Sequence, residues 1–339
     1  MNDLIKVIKP VETIINPVYL VGGSVRDSQL GITPHDFDFA TPLLPNEIEK
    51  RVKAAGRHAY TIGKKFGTIG FKLDGKYIEV TTFRTETYSE NNRKPSVEFV
   101  DDLMVDLSRR DFTINAMAIE LKNNQPHIID PFGGQIDTEN RLIRAVGNAR
   151  ERIKEDPLRM LRAARFVAQF GFNVDVDLMT QIKRRASTIY NVSRERWVTE
   201  LDKLLTSKHA GQGLQVLADS NLLRYILPEL WLQVGFDQNS PYHNLELWEH
   251  TKKVVDLSPN ETDIRWAALF HDVGKPFAQT KNAKGYSNYI MHEIISAEIV
   301  GGIAHRLKWS KARTEAVTAL VRRHMDADSP LRNADDATK

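Results

Sequence analysis

The 339-residue chain contains no cysteine. That excludes disulfides, thiolate nucleophiles and thiolate metal ligands. No apolar run approaches the roughly 20 residues that a membrane-spanning helix needs. The N-terminal stretch MNDLIKVIKPVETIINPVYLVGG lacks the basic, then apolar, then small-residue order of a signal peptide. An excess of one charge sign is missing too: 47 Lys and Arg face 44 Asp and Glu, a net charge of +3. A nucleic-acid partner is permitted but not announced by global charge, so any basic surface must be local. There is no internal repeat and no low-complexity tract. What remains is a composition of 41% hydrophobic and 27% charged residues, ordinary for a soluble globular protein. The length exceeds one compact core, so two or more domains are expected. The expected location is cytoplasmic, with no membrane partner.

Residues 18–41 read as strand, turn, helix, loop, strand. VYLVGG is a short apolar run ending in glycines, SVRDSQLG is a helical turn or two ending at Gly31, and HDFDFAT alternates as a strand with one wet face does. GTIGFKLDGKYIEVTTFR, 67–84, predicts a hairpin around Asp74-Gly75. RRDFTINAMAIEL, 109–121, begins charged and turns apolar, and IIDPFGGQIDTENRLIRAV, 128–146, reads as a turn-rich exit. From Ala149 onward the periodicity is helical. The fold class is therefore α+β in front and all-α behind, with a further boundary near SPYH at 240–243.

Asp36 and Asp38 stand two apart. On a strand both carboxylates share one face, with Phe37 and Phe39 on the other. A pair so placed can hold divalent cations for in-line phosphoryl transfer, and Mg²⁺ favours such oxygen donors. Most isolated D-x-D pairs are merely solvated strand residues. Upstream, Gly22-Gly23 lets backbone approach a triphosphate, and Arg26 lies one turn into the helix that follows. The plainer readings are a tight turn and a surface charge. Glu79 either adds a third carboxylate to the same face or makes a cross-strand ion pair.

EDPLRMLRAARF, 155–166, places Arg159, Arg162 and Arg165 at every third position. With Asp156 as N-cap and Pro157 as first helical residue, the arginines form one stripe, and Met160, Leu161, Ala164 and Val167 cover the opposite side. A solvated charge stripe is the alternative. Asp156 and Arg159 nevertheless offer acceptor and donors together, as a base's pairing edge does. Separately, six of the ten histidines fall in the last 99 residues: His243, His250, His271, His292, His305 and His324. His271-Asp272 ends an apolar helix. A packed core explains any one of these histidines, whereas H…HD…H on converging helices suits a divalent metal.

LVGGSVRDSQLG…HDFDFAT, RRDFTINAMA, IDPFGGQIDTENRLIR and EDPLRMLRAARF, in that order over about residues 15–235, resemble the class II CCA-adding enzymes, tRNA nucleotidyltransferases of the polymerase β-like superfamily. Bacterial poly(A) polymerases share these motifs. The resemblance implies a nucleotidyltransferase head with a small mixed β-sheet (1–145), a helical neck and body for nucleotide selection and tRNA binding (146–238), and a helical HD-like domain (239–339) that the family's length suggests is truncated. It implies that Asp36 and Asp38 are catalytic and bind two Mg²⁺ ions. Gly23, Arg26 and Arg110 would contact the triphosphate nucleotide, and Asn115 would lie near its ribose. Arg109 and Asp111 are otherwise an ion pair. Asp156 and Arg159 would pair with the incoming base in place of a template. Arg162 and Arg165 would contact nucleotide or brace the helix. Partners would be the tRNA 3′ end, CTP and ATP, and not DNA. Residues 84–103 resemble the family's flexible loop.

The C-terminal histidines resemble an HD phosphohydrolase, implying a second metal site at His250, His271 and Asp272. That pattern closes on a later aspartate, for which Asp326 and Asp328 are the doubtful candidates. Three activities are thus expected in order: CCA addition, then poly(A) or A addition on the same fold, then HD-type hydrolysis at RNA ends.

Overall fold

The structure is a computed structural model that describes residues 2–34, 37–87, 96–241 and 244–338. The chain divides into two compact units, Met1–Glu155 and Asp156–Lys339.

In the first unit the strands are β1 (Tyr19–Val21), β2 (Phe37–Thr41), β3 (Ala59–Tyr60), β4 (Thr68–Leu73), β5 (Lys76–Thr82), β6 (Arg84–Thr87), β7 (Ser96–Phe99), β8 (Ala118–Lys122) and β9 (Gln125–Ile129). Seven form one mixed sheet in the order β3-β4-β5-β2-β1-β8-β9. The pairing of β2 with β5 is parallel, and the others are antiparallel. The turn between β4 and β5 has Asp74 and Gly75 both at positive φ, 49° and 77°, the backbone that a tight two-residue hairpin demands. Strands β6 and β7 make a separate antiparallel ribbon. The expected loop at 84–103 is therefore two paired strands at its ends, and its middle, 88–95, lies outside the described residues.

One face of the sheet is dry. Leu4, Val7, Ile8 and Val11 of the helix Asn2–Ile14 and Ile48 and Val52 of the helix Pro45–Ala54 pack with Phe37, Phe39, Phe71 and Val80. The alternation that buries Phe37 and Phe39 leaves Asp38 exposed on the opposite face.

The stretch expected to be a turn-rich exit contains a helix, Gly134–Glu139. Asp130 nucleates it: its carboxylate accepts the N–H groups of Gly134 (2.7 Å) and Gln135 (2.9 Å). Gly134 must be glycine, because a Cβ there would run into the Thr113 carbonyl and the Met117 side chain. Gly134→Ala is expected to destabilise the first unit by about 2 kcal/mol. All five tryptophans lie in the second unit, at 197, 231, 248, 266 and 309. The loss should therefore appear in amide exchange of the first unit under urea, with the tryptophan transition unmoved.

The second unit is helical almost throughout. Side chains of its front part meet those of its rear part. Trp266 Nε1 donates to Asp202 (2.6 Å), Arg306 forms a two-pronged pair with Glu229 (2.7 Å each), and Gly211 N donates to Asp256 (2.9 Å). These contacts bridge the sequence boundary near 240 and join the two parts into one unit.

Candidate functional site

In the first unit the chemistry gathers beside β1 and β2. In the parallel pairing, Asp38 lies directly across from Glu79 of β5, and both are exposed. Neighbours in register share a face, so Asp38 and Glu79 lie on the same side of the sheet, an arrangement compatible with either reading of Glu79. Asp36 and His35 lie outside the described residues.

Chain turns at Gly22, whose φ of +72° favours glycine and whose missing Cβ makes room for Arg110 Nη1, 2.9 Å from where a Cβ would sit. The helix Gly23–Gln29 starts there. Its Arg26 is buried, donating from Nη1 to Asn115 Oδ1 (2.5 Å) and from Nε and Nη2 to Asp27 (2.9 and 2.7 Å). Asn115 Nδ2 in turn donates to Asp111 Oδ1 (3.0 Å). Arg109 pairs with Asp106 (2.7 Å), which also takes Arg110 (3.1 Å). Asp106 is 1% exposed. Burial pushes its carboxyl up, but Arg110 and Arg109 outweigh that and hold it below the usual range. The buried Nε of Arg110 has no hydrogen-bond partner among the described residues. The fold thus brings Gly23, Arg26, Arg110 and Asn115 into one polar cluster, with one arginine donor still to be satisfied. Asp106 escaped the sequence reading because nothing in LMVDLS marks it as buried.

In the second unit, the helix Leu158–Phe170 behaves as read at its start. Asp156 Oδ1 accepts the N–H of Leu158 (3.0 Å). Met160, Leu161, Ala164 and Val167 are buried, and so is Arg159, at 8% exposure. The arginine stripe is only partly open to solvent, with Arg162 and Arg165 half-buried. Glu200, itself buried, lies 2.6 Å from Arg165 Nε and 3.6 Å from Arg162 Nη1. Arg165 also stacks 4.0 Å over the Phe166 ring. Four residues before Glu200 on the helix Arg194–Leu205, Arg196 reaches Asp156 (2.7 Å). A second helix therefore latches the first by two opposite charges. Glu200 was not legible, because its partners lie some 35 residues away in sequence.

The histidines converge. His250, His271, His292 and His324 are all buried, on four different helices or their ends, around the buried carboxylate of Asp272. Asp272 Oδ2 is 3.3 Å from His250 Nε2 and 3.2 Å from His271 Nε2. The later aspartate of the pattern is neither Asp326 nor Asp328; both pair with the exposed Arg323. It is Asp335, on the short helix Arg332–Asp336, whose Oδ1 is 3.1 Å from His250 Nε2 and 3.9 Å from His271 Nε2. Leu331 and Ala334, buried on either side, fold that helix inward.

Hydrogen bonds settle the tautomers. The Nδ1 atoms of His271, His292 and His324 donate to the carbonyls of Ala268, Tyr289 and Val321 at 2.7–2.8 Å. His250 Nδ1 meets Thr338 Oγ1 (2.7 Å), whose own proton goes to the Asp335 carbonyl (2.8 Å). So each Nδ1 carries a proton, and in the neutral ring each Nε2 presents a lone pair to the centre. His250 and His271 Nε2 stand 3.1 Å apart, as do those of His292 and His324. Facing lone pairs at that distance repel unless a cation or protons lie between them. Two donors at right angles on an ion bound at roughly 2.1 Å would be about 3 Å apart. The donor set fits a metal.

Without metal, protons serve instead. Burial pushes His250 and His292 down, but hydrogen bonds to Asp272, joined by Asp335 for His250, outweigh it and raise both. Burial first, then His271, holds His324 at about 4. The two raised groups give stability that is fully present below the unfolded value near 6.5 and lost as pH rises through their folded values. His324 acts oppositely, removing stability as pH falls below 6.5. The chelated chain should therefore unfold at a higher temperature at pH 7 than at pH 8.5 by tryptophan fluorescence. With excess Mn²⁺ the order should reverse, because metal competes with those protons.

Three families match along the chain: "Poly A polymerase head domain" over residues 18–144, "Probable RNA and SrmB- binding site of polymerase A" over 171–233, and "HD domain" over 242–336. A CCA-adding enzyme of Geobacillus thermodenitrificans is 41% identical over 262 residues, covering 76% of this chain and 59% of that protein. One from Geobacillus kaustophilus is 44% identical over 209 residues, covering 61% of this chain and 50% of that protein. The chain thus spans between half and three fifths of these curated relatives. The crystal structure of the Bacillus stearothermophilus CCA-adding enzyme with CTP superposes with a TM-score of 0.66 at 29% identity, covering 99% of this chain and 82% of that one.

Proposed function

We propose that the chain belongs to the family of the CCA-adding enzymes and that it adds C and A to the 3′ end of tRNA without a nucleic-acid template. The observation that carries this is the head cluster. Two exposed carboxylates sit on one sheet face, Asp38 beside Glu79. A glycine turn, the buried Arg26 and the unsatisfied Arg110 donor belong to the same unit. A nucleoside triphosphate brings negative oxygens, which need both.

In the reaction the terminal 3′ oxygen of the RNA bonds to the α-phosphorus, the bond to the bridging oxygen breaks, and pyrophosphate leaves. Hard oxygen donors suit Mg²⁺. Asp36 and Asp38 would hold two such ions, which when bound activate the hydroxyl and neutralise the leaving group. The Gly22-Gly23 turn lets backbone approach the phosphates, and Arg26 and Arg110 orient them. Asn115, tied to Arg26, lies near the ribose. Asp156 and Arg159 read the base edge, and Glu200 positions Arg162 and Arg165 behind them. The similar Bacillus stearothermophilus enzyme was crystallised with CTP, and CTP and ATP are the nucleotides we assign here. Among the described residues no helix is long and apolar enough to cross a membrane. The cytoplasmic location we assign rests on the likeness to tRNA-processing enzymes.

The test is product size. tRNA ending before CCA, at CC and at CCA is incubated with each nucleotide separately. CCA addition predicts C, C, then one A, and no growth on the finished end. Long tails from ATP alone would identify a poly(A) polymerase, and a single A on the CC end alone would identify an A-adding enzyme. A failure of all addition would overturn the reading.

The buried His/Asp centre favours a second activity in the same chain, metal-dependent hydrolysis of phosphate esters at RNA ends. Asp272→Ala should abolish phosphate release while nucleotide addition persists.

A further inference from the structure

The wet face of the first unit's sheet carries aromatic rings as well as carboxylates. Register sets Asp38 across from Glu79, Glu79 across from Gly70 and Gly70 across from Tyr60, one row over β2, β5, β4 and β3. Residues in register share a face, so Tyr60 stands on the side of Asp38. Tyr77 and Lys72 lie opposite each other, each two residues along from that row, and so take the same face. Ala59, Phe71 and Ile78, which alternate with them, belong to the packed face. The two tyrosines are therefore no part of that core.

Their positions are fixed nonetheless. Gly70 makes room for Tyr77: a Cβ there would collide with the tyrosine hydroxyl, and the three atoms nearest to it all belong to Tyr77. The Tyr60 and Tyr77 ring centres are 5.8 Å apart at 54°, and those of His58 and Tyr60 are 4.8 Å apart at 75°. Such tilted and edge contacts hold each ring against the next. Yet Tyr77 is 44% exposed, and His58 and Lys72 are exposed too. A braced ring open to water is a surface on which a base stacks, because every base has a π-face. Lys72 adds a cation for the phosphate of such a base.

Place on the sheet selects the occupant. Asp38 and Gly70 flank Glu79 on either side, so two strand spacings, roughly 10 Å, separate them. In the reaction read above, the 3′ oxygen of the RNA meets the ions at Asp38, and the base of that nucleotide extends away from it. The incoming base is assigned to Asp156 and Arg159. We propose that Tyr77, seated on Gly70 and braced by Tyr60, stacks on the last unpaired base of the RNA primer. The proposal rests on the reading of the head as a nucleotidyltransferase and adds a binding residue for the acceptor strand. Stacking accepts any base, which suits an end whose last base changes as addition proceeds.

The test is equilibrium binding, without nucleotide, of two RNAs: tRNA ending before CCA, and the same tRNA with an abasic last nucleotide. The unaltered protein should bind the abasic RNA about 5- to 150-fold more weakly, the range of one base–aromatic stack. Tyr77→Leu should weaken binding of the intact RNA by the same factor and leave the abasic RNA unaffected, and Tyr77→Phe should restore the loss. Gly70→Ala displaces the ring without removing it, so it should copy Tyr77→Leu, and the double variant should be no weaker. Amide exchange of the first unit under urea checks the folding of each variant. Equal binding of both RNAs by the unaltered protein, or an equal loss on both in Tyr77→Leu, overturns the stack. An effect confined to the KM for CTP would assign the ring to the incoming base and overturn it as well. Binding needs no addition. A chain that holds the intact RNA through Tyr77 but adds no nucleotide would refute the transferase reading and leave the stack standing.

Discussion

Asp38→Ala is expected to lower nucleotide addition by about 10³-fold, roughly 4 kcal/mol of transition-state stabilisation. The loss should fall on the rate of addition at saturating CTP, with CTP binding much less affected, because Arg26, Arg110 and the glycine turn remain. Asp38 is exposed on a strand whose other face is packed, so its removal opens no cavity in that core. Unfolding of the first unit should therefore be unchanged, which separates a chemical effect from a structural one. Glu79 provides the internal comparison, since it stands beside Asp38 in register. If Glu79 shares the metal load, Glu79→Ala will lose activity too, by less. If it only balances charge, addition will be nearly untouched. Single-turnover addition of C to tRNA ending before CCA measures both. Full activity in Asp38→Ala would remove the two-metal assignment.

What was legible in the sequence was mostly local. The period-two pattern of HDFDFAT predicted which face Asp38 takes, because a strand allows no other arrangement. The Asp74-Gly75 turn needed two positive φ angles, and its residues say so. The histidines were legible as a group because helices of regular spacing carry them. The partners of these groups were not legible. Asp106, Glu200 and Asp335 look like ordinary surface acids in their own segments. Only the packing of distant elements makes each of them buried and paired. Asp335 shows why. It lies 63 residues past Asp272, with no periodic signal between them, whereas Asp326 and Asp328 are nearer in sequence but pair with Arg323 at the surface. Gly134 failed for the opposite reason: Gly133-Gly134 looks like a turn, while the second glycine is required by a carbonyl of another segment.

Arg159→Ala is expected to reduce discrimination between correct and incorrect nucleotide by about 5- to 150-fold, the 1–3 kcal/mol of one good bidentate base contact. The measurement is the ratio of kcat/KM for CTP over UTP and GTP on tRNA ending before CCA. The structure decides which residue makes the clean probe. Asp156 holds the first helical N–H of its own helix and accepts Arg196 on its other oxygen. A carboxylate has lone pairs left for a base, but Asp156→Ala would also cost the cap, about 1 kcal/mol, and would mix stability with selection. Arg162 and Arg165 share Glu200, so changing either leaves a buried carboxylate less compensated. Glu200→Gln is then the control. It loosens the brace on both arginines and should slow C and A addition alike without altering the ratio. Arg159 is buried in the first turn of that helix, so the readout is the ratio and not the rate alone. A lost ratio in Arg159→Ala with an intact ratio in Glu200→Gln would place base reading at the top of the helix and support below it. Equal ratios in both variants would return the whole arginine stripe to a structural role.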